Sequence, residues 1–231
     1  MKATTKPTII IILVILLLGY FLWPNNDQSV ISNLPPRENG SGEAIQIIAF
    51  GDSLTAGYGL SLNESYPAQL EVALLQKNYD VKVINSGVSG ETTRGNLERA
   101  KFIREQDPDI VLLGIGGNDA LRRLPIEETE KNLSETINIL KSGNNPPVVI
   151  LLGMQAPINM GLGYKQAFDS LYEDMAATLN ILLVPFITAE VFLKNGNRLP
   201  DGIHLNAQGY KEVIDLYLLP TLDDVLTQIN S

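Results

Sequence analysis

Residues Ile45–Gly59 read IQIIAFGDSLTAGYG and carry the two signals from which the fold is derived. Ile45–Phe50 is a short apolar run rich in isoleucine, which is typical of a fully buried strand. The next residues form a polar turn around Ser53 with glycines on both sides. A buried strand that ends in a polar turn is the unit from which α/β proteins build both a core and a site.

The same unit recurs along the chain, with helical patterns between the apolar runs. The predicted strands are Ile45–Phe50, Val81–Ile84, Ile110–Leu113, Val148–Leu152 and Leu182–Pro185. The predicted helices are Tyr66–Lys77, Thr93–Arg104, Pro125–Leu140, Gln166–Leu179 and Ala207–Leu218. Because strands that alternate with helices form parallel sheets covered on both faces, the pattern predicts an α/β protein with a mostly parallel sheet.

Composition excludes several classes of protein. The chain has 231 residues, 45% of them hydrophobic, which favours one folded domain over two domains or a disordered chain. It has no cysteine, so disulfides, cysteine-ligated metals and cysteine nucleophiles are excluded. The single histidine excludes a multi-histidine metal site, although a carboxylate site stays open. A formal charge of −9 argues against a nucleic-acid partner, which requires a basic surface.

An uncharged apolar run lies near the N-terminus. Ile9–Trp23 carries no charge, and Lys2 and Lys6 precede it. We predict that residues 8–23 form an uncleaved membrane helix, because the bulky Tyr20–Trp23 stands where signal cleavage requires small residues. Cleavage as a signal peptide and burial as a core helix are the alternatives.

The predicted organisation is a signal anchor over 1–24, a linker over 25–42 and a folded domain over 43–231. The linker is rich in Pro, Asn, Ser and Gly and has almost no apolar periodicity. The lysines before the apolar run predict that the domain lies outside the cytoplasm, anchored to the inner membrane and facing the periplasm or the cell exterior. After cleavage it would be a soluble periplasmic or secreted protein.

Two polar segments offer a nucleophile and its base. Ser53 follows a buried strand, where the N–H groups of a helix N-terminus favour developing negative charge. His204 is the only histidine, and Asp201 precedes it by three residues, where a carboxylate can orient the imidazole. Each segment also has a purely structural interpretation, Ser53 as a helix cap and Asp201–His204 as a surface turn.

Two glycine-rich turns offer hydrogen-bond donors at the same edge of the predicted sheet. The turn Gly114–Asp119 contains Asn118, whose side-chain N–H can donate to an oxyanion. The turn Asn85–Thr93 contains Gly90, whose backbone N–H can complete the same hole. The turn Gly114–Asp119 does not match the dinucleotide-binding pattern G-x-G-x-x-G, and in isolation it is a weak signal of function.

Together and in this order, the four segments resemble the SGNH hydrolase family, also called GDSL esterases and lipases. The chain has GDSL at 51–54, SGE at 89–91, GGND at 116–119 and DGIHLN at 201–206. Spacing and order agree over Ile45–Tyr210. The branch of bacterial thioesterase I enzymes, which also act as lysophospholipases and arylesterases, is the most similar.

The resemblance implies a fold, a mechanism and a set of residues. The fold is a three-layer α/β/α sandwich with a five-stranded parallel sheet of flavodoxin-like topology, with no metal and no organic cofactor. The implied catalytic triad is Ser53, His204 and Asp201. The implied oxyanion hole consists of the backbone N–H groups of Ser53 and Gly90 together with the Asn118 side chain.

A further segment predicts where an acyl chain binds. Met154–Tyr164, MQAPINMGLGY, follows the fourth predicted strand and therefore reaches the same edge of the sheet. Its glycines and prolines predict an irregular loop, whose apolar side chains are expected to line a groove. These side chains are Met154, Ile158, Met160 and Leu162. The alternative is that two or three of them pack onto the adjacent helix.

The predicted function is a serine esterase that hydrolyses a small-molecule or lipid acyl ester or thioester as a monomer. A carbohydrate O-deacetylase of the same fold is one alternative, and its pocket should close around an acetyl group. A membrane-tethered binding module without activity is another, which the presence of every site residue disfavours. Asp52 and Asp119 are interpreted as structural.

Overall fold

The computed structural model describes residues 28–34 and 44–230 and contains one five-stranded sheet. Its strands are β1 Ile45–Gly51, β2 Val81–Gly87, β3 Ile110–Gly114, β4 Val148–Met154 and β5 Leu182–Ile187. Their order is β2-β1-β3-β4-β5, and every neighbouring pair is parallel. The predicted α/β fold with a five-stranded parallel sheet is confirmed.

Helices cover both faces of the sheet. The helices are α1 Gln28–Ser32, α2 Ser53–Ala56, α3 Tyr66–Gln76, α4 Thr93–Arg104, α5 Gly117–Leu121, α6 Ile126–Leu140, α7 Leu162–Leu179, α8 Ala189–Phe192, α9 Ala207–Val213 and α10 Leu219–Ile229. Helices α4, α6 and α7 pack together in one layer, and α3, α9 and α10 form the other. The central strands β3 and β4 are buried along their whole length, which explains their continuous apolar sequence.

The connections place a site at one edge of the sheet. From β1 the chain crosses to β2 on one side and then to β3 on the other, so the direction reverses beside β1. Ligands of open parallel sheets bind at the carboxyl ends of strands next to such a reversal. The turns after β1, β2 and β3 all reach this edge.

Three element boundaries differ from the prediction by more than two residues. Strand β2 continues to Gly87, because Asn85 and Ser86 pair with β1 at a sheet edge where polar side chains can reach water. Helix α7 begins at Leu162 instead of Gln166, so the irregular loop predicted up to Tyr164 ends three residues earlier, at Gly161. The final helical segment does not stop at Leu218 but passes through a π-helical turn into α10, whose first turn accommodates Pro220.

The N-terminal predictions are tested only in part. The predicted membrane helix over residues 8–23 lies outside the described residues. Within the described ranges, no helix is both long and apolar enough to cross a membrane. The segment 25–42, predicted as a linker, contains α1, in which Val30 and Ile31 are buried. Helix α1 packs on α10, and the Gln28 side chain donates to Asp224 at 3.3 Å, so this part of the segment is bound to the domain.

Candidate active site

Ser53 stands at the start of α2, two residues beyond β1. Asp52 caps this short helix, and its Oδ1 accepts from the Leu54 N–H at 3.0 Å. Gly51 permits the close approach of β1 to β3, since a Cβ there would lie 2.1 Å from the Gly114 carbonyl oxygen. The sharp strand-to-helix turn leaves the Ser53 hydroxyl only partly buried, and Ser53 Oγ lies 2.8 Å from His204 Nε2.

The loop before α9 supplies His204 and its carboxylate partner. Asp201 Oδ2 lies 2.6 Å from His204 Nδ1, while Oδ1 accepts from the N–H groups of Ile203 at 2.9 Å and His204 at 3.1 Å. Desolvation raises the pKa of Asp201, but these hydrogen bonds outweigh it and lower the pKa to about 2. The carboxylate is therefore ionised at neutral pH and accepts a hydrogen bond from Nδ1–H, which leaves Nε2 free to accept from the Ser53 hydroxyl.

Tyr58 covers one face of the histidine. Its ring centroid lies 4.7 Å from that of His204, with the two planes tilted by 32°. The Tyr58 N–H donates to the Ser53 carbonyl at 3.0 Å, so the tyrosine is held to the same turn as the serine. Sequence reasoning assigned Tyr58 no role, because a contact across about 150 positions leaves no local signal.

Gly90 and Asn118 reach the same edge from the turns after β2 and β3. Gly90 lies in an exposed turn with φ of 81°, which a residue with a side chain rarely adopts. Asn118 is in the first turn of α5, and its Nδ2 donates to the Glu91 carbonyl at 2.9 Å and approaches Asp52 Oδ2 at 3.4 Å. These contacts bring Asn118 against the Ser53 turn on one side and the Gly90 turn on the other.

The two further aspartates connect turns. Asp119 is buried and accepts from the Thr93 N–H at 2.9 Å and from Thr93 Oγ1, which ties α5 to the start of α4. Asp52 is almost fully buried, and this burial raises its pKa to about 6, although the Leu54 N–H and the nearby His204 lower it. The contacts of Asp119 with Thr93 and of Asp52 with the Leu54 N–H agree with the interpretation of both aspartates as structural.

The four residues predicted to line an acyl groove have different environments. Met154 is buried at the end of β4, and its Sδ would lie 3.6 Å from a Cβ on Gly117, beside Asn118. Met160 is half-buried in a short 3₁₀ turn, whereas Leu162 is 73% exposed at the start of α7. The side chain of Ile158 lies outside the described part of the structure. Met154 therefore packs in the core, as the alternative interpretation expects, and the role of these residues in acyl binding stays a prediction.

Two arginines that sequence reasoning missed contact the Gly90 turn. Arg122 Nη2 donates to the Gly90 carbonyl at 2.8 Å. Arg99, on α4, makes a two-pronged ion pair with Glu91. Neither was detectable from sequence, since basic residues on amphipathic helices are common. Among residues 28–34 and 44–230, no group of three or more His, Asp or Glu side chains is arranged to hold a metal ion.

Comparisons with known proteins converge on one family. Residues 49–212 match the model of the GDSL-like Lipase/Acylhydrolase family. The chain is 37% identical over 161 residues to an arylesterase of Vibrio mimicus, an alignment that covers 69% of this chain and 79% of that protein. It is 33% identical over 170 residues to thioesterase 1/protease 1/lysophospholipase L1 of Escherichia coli strain K12, with 73% and 79% covered. The solved structure of AlinE4, an SGNH-hydrolase family esterase, superposes with a TM-score of 0.65 at 38% identity, covering 82% of this chain and 99% of that one.

Proposed function

Because the chain belongs to the GDSL-like lipase/acylhydrolase family and is a hydrolase of ester bonds, we propose that it is a serine esterase with Ser53 as nucleophile. The single observation that carries this proposal is the hydrogen-bonded chain from Ser53 Oγ through the His204 ring to Asp201 Oδ2. Such a chain lets a neutral imidazole take the hydroxyl proton while a carboxylate stabilises the resulting imidazolium.

The proposed reaction has two halves. Ser53 Oγ attacks the acyl carbonyl as His204 Nε2 takes its proton, and the tetrahedral intermediate then expels an alcohol or thiol that receives this proton. The acyl group remains on Ser53 as an ester. A water molecule, deprotonated by His204 in the same way, attacks that ester; the bond between Ser53 Oγ and the acyl carbon breaks, His204 returns the proton to Ser53 Oγ, and the carboxylic acid leaves. Asp201 keeps its charge throughout and holds the Nδ1–H of the ring.

Negative charge on the carbonyl oxygen requires donors that are already in place. We assign this role to the backbone N–H groups of Ser53 and Gly90 and to Asn118 Nδ2. One N–H of the Asn118 amide donates to the Glu91 carbonyl at 2.9 Å, and the other makes only the longer contact with Asp52 Oδ2 at 3.4 Å, which the substrate oxygen would replace. Loss of one donor of this kind typically costs about 100–1000-fold in turnover.

The substrate class that we propose is an acyl ester or thioester with an apolar chain. Apolar side chains stand exposed next to the proposed site residues: Val88 near Gly90 is 44% exposed, and Ile203 beside His204 is 47% exposed. Such side chains favour an alkyl or aryl group over a hydrophilic sugar. The relatives described above, an arylesterase and a thioesterase, support both ester and thioester substrates for this chain.

We also propose that residues 8–23 anchor the chain in the inner membrane, with the hydrolase domain as a monomer outside the cytoplasm. The uncharged sequence of this run and the lysines before it support the proposal.

Replacement of the nucleophile tests the catalytic proposal. Ser53→Ala should reduce the hydrolysis of p-nitrophenyl butyrate by at least about 1000-fold and abolish labelling by a fluorophosphonate, because no other group can form the acyl-enzyme. The matched control is Ser170→Ala, since Ser170 is an exposed serine on α7 that should be dispensable. Turnover of Ser53→Ala close to that of the wild type would show that the nucleophile is misassigned.

A further inference from the structure

The turn that carries Gly90 lies above a nearly buried ion pair. The Glu91 side chain is only 8% exposed, and that of Arg99 is 27% exposed. Arg99 Nε donates to Glu91 Oε1 at 2.8 Å, and Nη2 donates to Oε2 at 2.5 Å. A carboxylate withdrawn from water needs such a partner, and the two parallel hydrogen bonds fix its direction as well as its charge.

Arg99 joins the ends of two strands to this turn. Its Nη1 donates to the Ser86 carbonyl on β2 at 3.1 Å, and its Nη2 approaches the Gly51 carbonyl at the end of β1 at 3.4 Å. The guanidinium carbon also lies 4.8 Å from the centroid of the Phe50 ring, where a cation is attracted to the ring face. The Arg99 side chain thus connects the Gly90 turn to β1, the strand that leads into Ser53.

Glu91 lies between two of the proposed oxyanion donors. Its backbone follows Gly90 directly, and its carbonyl accepts the hydrogen bond that orients Asn118. Its N–H donates to the Val88 carbonyl at 3.2 Å and closes the turn, while the Val88 N–H is bound to the Gly51 carbonyl at 2.9 Å. Displacement of Glu91 would therefore move the Gly90 N–H and the Asn118 amide together.

We propose that Glu91 and Arg99 are positioning residues of the oxyanion hole, which hold the Gly90 and Asn118 donors at the distance that the transition state requires. This inference rests on the proposed function. We expect no effect of Glu91 or Arg99 on substrate affinity, because the pair lies below the turn and the two charges neutralise each other. A misplacement of about 1 Å in such a device can cost about 100-fold in rate.

The test compares Glu91→Gln with a matched change on α4, the helix that carries Arg99. Glu91→Gln keeps the size of the side chain but removes the charge that holds Arg99, and we expect kcat to fall about 10–100-fold with KM changed by less than about threefold. The control is Glu98→Gln, which removes the carboxylate of the exposed Arg94–Glu98 pair and should leave both constants unchanged. Titration of Ser53 with a fluorophosphonate gives the concentration of folded enzyme to which each kcat refers.

A second pair of variants separates positioning from general stabilisation. Arg99→Lys keeps the charge but cannot form the two-pronged contact, so it should lose kcat to a similar extent. In an Asn118→Ala background, Glu91→Gln should cost less than it does alone, because one of the donors that it positions is already absent. Equal losses in both backgrounds, a loss confined to KM, or wild-type kcat in Glu91→Gln would overturn the proposal.

Failure of this inference can be told apart from failure of the proposed function. If Ser53→Ala is inactive while Glu91→Gln is fully active, the nucleophile stands and the positioning role is wrong. If Ser53→Ala keeps its activity, the proposed function itself fails, whatever Glu91→Gln does.

Discussion

Asp52 shows how a single residue next to the nucleophile links the stability of this protein to pH. Its carboxyl group is 1% exposed, and burial raises its pKa to about 6. In the unfolded chain the same group titrates near 3.8. Between these values the native state binds the extra proton, so the free energy of unfolding falls as pH rises from about 4 to 6 and then levels off.

We predict that Asp52→Asn removes this dependence. Relative to the wild type, the variant should gain about 2 kcal/mol in free energy of unfolding between pH 4.5 and 7.5, because an amide carries no charge to desolvate. Urea unfolding at the two pH values measures the difference. Asp80→Asn, which removes an exposed carboxylate, is the control. An unaltered pH dependence in Asp52→Asn would show that Asp52 does not titrate in this range.

At the scale of elements, we predict that the segment between β4 and α7 determines which acyl groups are accepted. It follows a strand whose carboxyl end lies at the proposed active site, and its Met160 carbonyl accepts from Arg123 at 2.9 Å. Leu162 projects into solvent from the first residue of α7, whereas Met154 is part of the core. Of the predicted lining residues whose side chains the structure describes, Met160 and Leu162 therefore lie outside the core.

We predict that kcat/KM for medium-chain esters exceeds that for acetate esters by more than about tenfold, because each buried methylene contributes about 0.8 kcal/mol. The double variant Met160→Ser, Leu162→Ser should flatten this preference and spare acetate-ester hydrolysis. p-Nitrophenyl esters of increasing length provide the measurement. Leu75→Ser, an exposed leucine near the end of α3, is the control. The same chain-length profile in the double variant and the wild type would exclude this segment as the acyl site.

At the scale of the whole molecule, the N-terminal segment reaches the domain on the side opposite the active site. Helix α1 packs on α10, and the neighbouring Asp223 pairs with Lys77 at 3.0 Å, shortly before β2 begins. The beginnings of parallel strands lie at the edge away from Ser53. Binding of α1 therefore leaves only Pro24–Asp27 between the apolar run and the domain.

We predict that the full chain stays in the membrane fraction with its N-terminal run attached. The bulky residues that end the run give a signal peptidase no small-residue site. Deletion of residues 2–24 should release the protein into the soluble fraction, with kcat/KM within about twofold of the full chain. Intact mass and N-terminal sequencing provide the measurement. A mature N-terminus between Trp23 and Gly42 would contradict the anchor.

Local patterns in the sequence were sufficient for the five strands, for the longer helices α3, α4, α6 and α7 and for the residues with motif character, but not for α1, α5, α8 or α10. Helix α4 has the predicted bounds Thr93–Arg104, because its amphipathic pattern runs into Asp107-Pro108. The turn after β1 is recognisable because the apolar run ends in Gly51 and is followed by the polar residues Asp52 and Ser53. Boundaries failed where context overrode the pattern, as in β2, whose polar end is tolerated at the sheet edge.

Contacts between distant parts of the chain were decided only by the tertiary structure. Strand order depends on how each crossover packs on the sheet, and the sequence of a strand does not indicate which strands lie beside it. The Ser53–His204 contact spans 151 positions, and its distance became known only with the fold. The Glu91–Arg99 pair forms because α4 carries Arg99 beneath the turn that it follows. The sequence by itself thus determined which groups are present and on which elements they stand, whereas their distances and burial follow from packing, which involves the whole chain at once.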